Sequence, residues 1–115
     1  SLLTSKEYKK ISEQFWPQIE KVCREFALAA GGKYSPRSGV NSYINSYQSG
    51  EGCKITSLNW EIRVDLMTVC NSDNQVHSYV EVYRSGGYSS FIYINKFNEE
   101  LLVTKLREVY EKFTV

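Results

Sequence analysis

Metal-ligating side chains are scarce in this sequence. His77 is the only histidine among 115 residues, and the three cysteines, Cys23, Cys53 and Cys70, form no Cys-x-x-Cys pair. A structural zinc site usually needs four Cys or His ligands at short spacings. The sequence therefore predicts no metal and no cofactor. It favours reduced, partly buried thiols in a reducing, cytoplasmic compartment, with one disulfide plus a free thiol as the alternative.

An excess of charge of either sign is also missing. Lys and Arg number 14 against 13 Asp and Glu, for a net charge of +1. Nucleic-acid affinity rests on clustered basic residues that neutralise phosphates, so a nucleic-acid partner is not expected. No apolar run approaches the ~20 residues of a transmembrane helix, which predicts no membrane span. The three Gly-rich fragments lack the spacing of a phosphate-binding loop.

Tyrosine, in contrast, is abundant. Nine tyrosines bring the aromatic content to 14%, within a chain that is 42% hydrophobic and 23% charged. That overall composition is typical of a folded protein, and we expect residues 1–115 to form one domain. Because Tyr joins an apolar ring to a polar tip, it suits surfaces that are partly core and partly contact site.

The first 30 residues carry the pattern of one long amphipathic helix. Residues 4–7 fit a capping box, and Gly31-Gly32 supplies a stop. Pro17 predicts a kink near Phe15-Trp16, and a kinked helix is favoured over two separate ones because the apolar stripe keeps its phase. The stripe recurs at intervals of three and four residues: Tyr8, Ile11, Phe15, Ile19, Val22, Phe26 and Ala30.

Residues 33–52 are rich in Ser, Gly and Tyr and show no clear periodicity. Such a segment is either a long mobile loop or a weak edge strand. We expect one short strand near residues 40–44, flanked by flexible chain.

Strict alternation then marks the start of a sheet. Five apolar residues alternate with polar ones and predict one buried strand face: Leu58, Trp60, Ile62, Val64 and Leu66. This strand runs to about Cys70, a second spans residues 76–84, and a third spans residues 91–95. The register of the third strand stays open, since a loop of two residues turns Phe91 and Tyr93 inward and a loop of three turns Ile92 and Ile94 inward.

A second amphipathic helix closes the chain. Asn98 is its predicted N-cap, and its apolar stripe consists of Leu102, Leu106, Val109 and Phe113. The predicted fold is an α+β two-layer sandwich of order α-β-β-β-β-α, with an antiparallel sheet of three to four strands and both helices on one face. The order of elements resembles that of double-stranded RNA-binding domains and kinase-associated tail domains. However, Glu99 and Glu100 make the start of the last helix acidic, where RNA-binding domains are basic.

The other sheet face is left open, and its side chains are the candidate site. Tyr79 and Tyr83 share that face, Arg63 lies nearby on the neighbouring strand, and one register adds Phe91 and Tyr93. Exposed aromatic and Arg side chains on a rigid sheet are typical of protein interfaces, although Tyr rings also stiffen sheets. We therefore expect a non-enzymatic protein-interaction module of adaptor, inhibitor or immunity type that binds a protein partner or itself.

Two other functions stay open. A small-molecule or lipid-binding domain would need a pocket between sheet and helices. A small enzyme would use His77 with nearby acids, but no motif places a nucleophile beside this histidine. Glu61 and Asp65 would lie ~13 Å apart on one strand, too far for a catalytic carboxylate pair, and are interpreted as a solvated charged face.

Overall fold

The computed structural model describes the backbone of residues 5–43, 46–70, 76–84 and 87–112, and the side chains of residues 9–37, 51–68, 77–84 and 87–112. Two helices flank five strands that pair antiparallel in chain order, which confirms the α+β class and raises the strand count to five. The elements are α1 Ser5–Ala30, β1 Lys33–Tyr43, β2 Ser46–Thr56, β3 Glu61–Cys70, β4 Val76–Arg84, β5 Ser89–Tyr93, a 3-10 turn Ile94–Lys96, and α2 Glu99–Glu111.

Helix α1 is unbroken across Pro17, which lies exposed in its middle. Proline has no N–H to donate to the Glu13 carbonyl four residues earlier, so one helical hydrogen bond is missing. One turn of the same helix also carries a bond from the Gln18 side-chain amide to the Gln14 carbonyl at 3.1 Å. The helix ends as predicted, because Gly31 adopts a φ of 72° and the Gly32 N–H bonds to the Ala27 carbonyl at 2.8 Å. Thr4 of the predicted capping box lies outside the described residues.

The segment predicted to hold one short strand forms most of a long hairpin. β1 and β2 each run for 11 residues and pair along their whole length, from Lys33 opposite Thr56 to Tyr43 opposite Ser46. The prediction of a single short strand near residues 40–44 was therefore wrong. Ladder hydrogen bonds between the two backbones form whatever the side chains, so the hairpin needs no apolar alternation along its length.

The strand of strict alternation begins later than predicted. Residues 57–60 form the turn between β2 and β3, closed by a hydrogen bond from the Ser57 N–H to the Trp60 carbonyl at 2.9 Å. Leu58 lies on this turn and is fully exposed, so its predicted place in the core was wrong. Beyond the turn the prediction holds, since Ile62, Val64 and Leu66 are completely buried.

The structure also settles the register of β5. Ile92 lies opposite Val80 and is 2% exposed, whereas Phe91 lies opposite Glu81 and Tyr93 opposite Tyr79. Phe91 and Tyr93 therefore point away from the helices.

The two helices cover the other side of the sheet and enclose one core. Asn98 caps α2 as predicted, because its Oδ1 accepts from the Leu101 N–H at 2.8 Å. Trp60 and Phe26 both pack edge-on against Tyr110 and close one end of this core. Its buried hydrophobic residues are Ile19, Val22, Cys23, Ala27, Cys53, Ile55, Ile62, Val64, Leu66, Val80, Val82, Ile92, Leu102, Leu106 and Val109.

Candidate functional site: the outer face of the sheet

The candidate site is the sheet surface opposite the helices, called here the outer face. Successive side chains of a strand alternate between the two faces, so the buried positions of β3, β4 and β5 identify the outward ones. On the described parts of these strands the outward residues are Glu61, Arg63, Asp65, Met67, His77, Tyr79, Glu81, Tyr83, Ser89, Phe91 and Tyr93.

Three rings form an aromatic cluster over β4 and β5, made of Tyr79, Phe91 and Tyr93. The centroid of the Tyr79 ring lies 5.6 Å from that of Phe91 and 6.5 Å from that of Tyr93, both edge-on. Such pairs stiffen a sheet by cross-strand packing. Even so, Phe91 is 51% exposed and Tyr93 58% exposed. The cluster is therefore held in place by its own contacts while still presenting apolar surface to solvent.

A polar network borders this cluster and is called here the Asp65 network: Asp65 with Arg37 and Tyr83. Arg37 Nη1 donates to Asp65 Oδ1 at 2.9 Å, and the Tyr83 hydroxyl donates to Asp65 Oδ2 at 3.0 Å. Both carboxylate oxygens thus have a donor, and the Asp65 side chain is only 17% exposed. The interpretation of Asp65 as part of a solvated strand face does not fit this burial. Asp65 instead links strands β1, β3 and β4.

Gly52 makes the Asp65 network possible. It lies on β2 between Arg37 and Asp65, which pair with it from either side in the same row of the sheet. A Cβ at this position would overlap the Asp65 carboxylate and lie 3.2 Å from the Val64 carbonyl oxygen. The missing side chain leaves room for Arg37 to reach across β2 to an acid two strands away.

A second ion pair lies beside this network. Arg63 Nε donates to Glu61 Oε2 at 2.7 Å, and Arg63 lies directly opposite Tyr83. Hydrogen bonds to Glu61 and to Tyr83 raise the pKa of the Arg63 guanidinium. For Arg37, burial works to lower the pKa, but the hydrogen bond to Tyr83 and the charge of Asp65 outweigh it and the pKa is raised. Both arginines are therefore fixed cations committed to neighbours on the sheet.

Glu81 differs from the other acids of the outer face. It lies opposite Asp65 on one side and Phe91 on the other, in a partly buried position. Burial first, and the negative charge of Asp65 second, raise the pKa of its carboxyl group. No hydrogen bond or ion pair joins Glu81 to another residue whose side chain the structure describes.

The residues predicted from sequence fall into two neighbouring groups. Tyr79, Phe91 and Tyr93 form the aromatic cluster, while Arg63 and Tyr83 join the polar side of the face. Sequence reasoning missed the roles of Arg37, Gly52, Asp65 and Glu81. Arg37 and Gly52 belong to the hairpin that carried no strand signal. Glu81 could have been found, because it alternates with Tyr79 and Tyr83 on the same strand.

His77 lies at the edge of the face, in a cleft of about 570 Å³, a volume within the range of ligand pockets. The cleft is lined by Ile11, His77, Ser78, Tyr93, Ile94, Asn95 and Lys96. Ser78 Oγ is within 3.2 Å of Thr68 Oγ1, so this hydroxyl already has a hydrogen-bonding partner.

The two cysteines with described side chains lie in the core, not at the outer face. Cys23 and Cys53 are free thiols and completely buried. A hydrogen bond with Cys53, together with burial, raises the pKa of the Cys23 thiol, which therefore stays protonated and unreactive at neutral pH. Among the described residues, no group of three or more His, Cys, Asp or Glu side chains is placed to hold a metal ion.

No protein-family model, curated protein or solved structure matches this chain. Within the described ranges, neither helix is long and apolar enough to cross a membrane.

Proposed function

We propose that this domain is a non-enzymatic protein-interaction module, of adaptor, inhibitor or immunity type, that binds a protein partner through the outer face. The observation that carries the proposal is the exposure of Phe91 and Tyr93, 51% and 58%, on a sheet whose opposite face is sealed by helices. Large aromatic side chains that stay exposed on a rigid surface are enriched at protein interfaces and often supply most of the binding energy.

The layout of the face supports the proposal further. The aromatic cluster occupies β4 and β5, and fixed ion pairs border it on β3 and β1. An apolar centre with a polar border is the usual anatomy of an interface, because the centre excludes water and the border sets orientation. Since the rings and the arginines are already held by neighbours, little side-chain entropy is lost on binding.

The alternative, a small-molecule or lipid-binding domain, receives less support. It requires a pocket between sheet and helices, and the residues described there form a continuous buried cluster. Two clefts lined by described residues lie elsewhere, one between the two helices and one beside His77. The two free, buried thiols favour a reducing compartment such as the cytoplasm.

Removal of the exposed rings tests the proposal. In the double variant Phe91→Ser with Tyr93→Ser, we expect affinity for a protein partner to fall by at least about tenfold, since two aromatic contacts at an interface are worth more than 1.4 kcal/mol together. Partners are captured from an extract of the source cells with immobilised protein and then measured by calorimetry. Self-association is followed by sedimentation of the pure protein.

Leu28→Ser is the matched control. Leu28 is a large apolar residue, 84% exposed, but it lies on α1 and not on the sheet. This variant should bind like the unaltered protein. If the double variant folds and binds as tightly as the unaltered protein, the outer face is not the interface and the proposal fails.

A further inference from the structure

Two of the three acids on the described outer face are paired with an arginine, and the third is not. Asp65 is paired with Arg37 at 2.9 Å, and Glu61 is paired with Arg63 at 2.7 Å. Glu81 has no such base among the described side chains, although it lies in the same sheet row as Arg37 and Asp65. A partly buried carboxylate without a cation is a costly arrangement, because burial removes water that would otherwise stabilise the charge.

The surroundings of Glu81 increase its need for a cation. Asp65, directly opposite, is negative, and the aromatic cluster shields Glu81 on the β5 side. On the described outer face of β4 and β5, Glu81 is the only carboxylic acid and His77 is the only basic side chain. Burial first, and the negative charge of Asp65 second, raise the pKa of the Glu81 carboxyl group. An arriving positive charge would meet one unpaired carboxylate beside exposed rings.

Aromatic rings and a carboxylate together recognise one class of group. A cation is attracted to the negative face of an aromatic ring and to the carboxylate at once, and a Lys or Arg stem packs well on apolar rings. Phosphate and other anions would be repelled by Glu81. A divalent metal is a poor fit, since Asp65 is already bonded through both oxygens and no further acid faces the site in the described residues.

We propose that Glu81 and the aromatic cluster receive a Lys or Arg side chain from the protein partner. The ammonium or guanidinium group lies against the Glu81 carboxylate, and the methylene stem lies on Phe91. The inference rests on the proposed interaction function and names the chemistry of the partner: a segment with an exposed basic side chain. Charge complementarity selects this occupant, because the cation supplies the ion pair that the outer face lacks.

Short peptides test the inference without knowledge of the partner. The probes are N-acetyl-glycyl-lysyl-glycinamide, the arginine analogue, and an analogue in which neutral norleucine replaces lysine. They are titrated into the ¹⁵N-labelled full chain and followed by amide chemical shifts. We expect the two basic peptides to shift the amides of Glu81 and Phe91, and to bind at least about fivefold more tightly than the norleucine peptide, as one partly exposed ion pair is worth about 1 kcal/mol.

Glu81→Gln is the decisive variant, since it keeps the shape of the side chain and removes its charge. The preference for basic peptides should disappear in this variant, whose amide spectrum also reports whether it is folded. Glu13→Gln, at an exposed position of α1, is the control and should keep the preference.

Three results would overturn the inference: no preference for the basic peptides, the same preference after Glu81→Gln, or amide shifts confined to regions remote from the outer face. These failures differ from failure of the proposed function. Suppose that the cation preference fails but the norleucine peptide still binds at Phe91 and Tyr93, or the Phe91→Ser, Tyr93→Ser variant still loses partner binding. The outer face would then be an interaction surface that does not select a cation.

Discussion

At the scale of single residues, Gly52 has the largest effect on how the side chains of the outer face are arranged. Arg37 and Asp65 meet across β2 only because Gly52 carries no side chain. The resulting network gives both Asp65 oxygens a donor and leaves the side chain only 17% exposed. Without it, the charge of Asp65 would be free to take up a cation that otherwise goes to Glu81.

Gly52→Ala is therefore expected to lower the free energy of unfolding by about 1–3 kcal/mol, the usual cost of forcing an extra carbon into a packed site. The added methyl group displaces the Asp65 carboxylate and breaks its bonds to Arg37 and Tyr83. Urea unfolding of the single and double variants measures the effect.

Asp65→Ala supplies the control through a double-mutant cycle. In its background the methyl group at position 52 meets no carboxylate, so the cost of Gly52→Ala should shrink by about 1 kcal/mol. Additive costs would show that Gly52 and Asp65 are energetically independent, and the role assigned to Gly52 would then be wrong.

Residues of the site could be predicted only as far as their strands could be recognised. Alternation along β4 placed Tyr79 and Tyr83 together, and the register of β5 decided whether Phe91 and Tyr93 joined them. Arg37 lies on the edge strand β1, three strands away from β4, yet it donates to the Tyr83 hydroxyl on that strand at 3.4 Å. This contact depends on the pairing of four successive strands. No local pattern carries such long-range information.

At the scale of elements, a strand could be predicted from the sequence only where one of its faces is buried. β3 and β4 lie under the helices, so their inward residues are apolar and alternate: Ile62, Val64, Leu66, Val80 and Val82 are all completely buried. The β1–β2 hairpin was missed because its strands are polar over much of their length, with Ser, Gly and Asn between the tyrosines. The backbone hydrogen bonds of this hairpin do not require apolar residues at alternate positions, so the sequence shows no strand pattern there.

Helix α1 offers a test at this scale. Pro17 removes one helical hydrogen bond, yet the helix continues because its apolar stripe is anchored on both sides by Phe15 and Ile19. Packing therefore overcomes a local preference against helix. Pro17→Ala restores the missing N–H donor and should raise the free energy of unfolding by about 1–3 kcal/mol.

Thermal and urea unfolding of Pro17→Ala check this expectation, with the exposed Glu13→Ala change on the same helix as the control for a general effect of alanine. Unchanged or lower stability would mean that the proline shapes the helix to fit the sheet. In that case the cost of the proline would already be offset by packing.

At the scale of the whole molecule, the two faces of the sheet have divided roles. The inner face and the two helices form the hydrophobic core, in which the buried residues are almost all apolar. The outer face does not contribute to this core, so an unpaired charge and exposed rings on it cost the fold little stability. The proposed interaction module needs such a division, whereas a domain that encloses a ligand would need a cavity beneath the sheet.

Native mass spectrometry tests the division directly. A domain whose core is filled by its own side chains has no apolar space to retain a small molecule, since protein interiors are close-packed with few voids. We expect the purified protein to show the mass of the bare chain, alone or as a defined oligomer. The same sample sprayed from denaturing solvent fixes the mass of the bare chain. A constant added mass, lost on denaturation, would show a retained ligand. That result would contradict a filled core and favour the pocket-binding alternative.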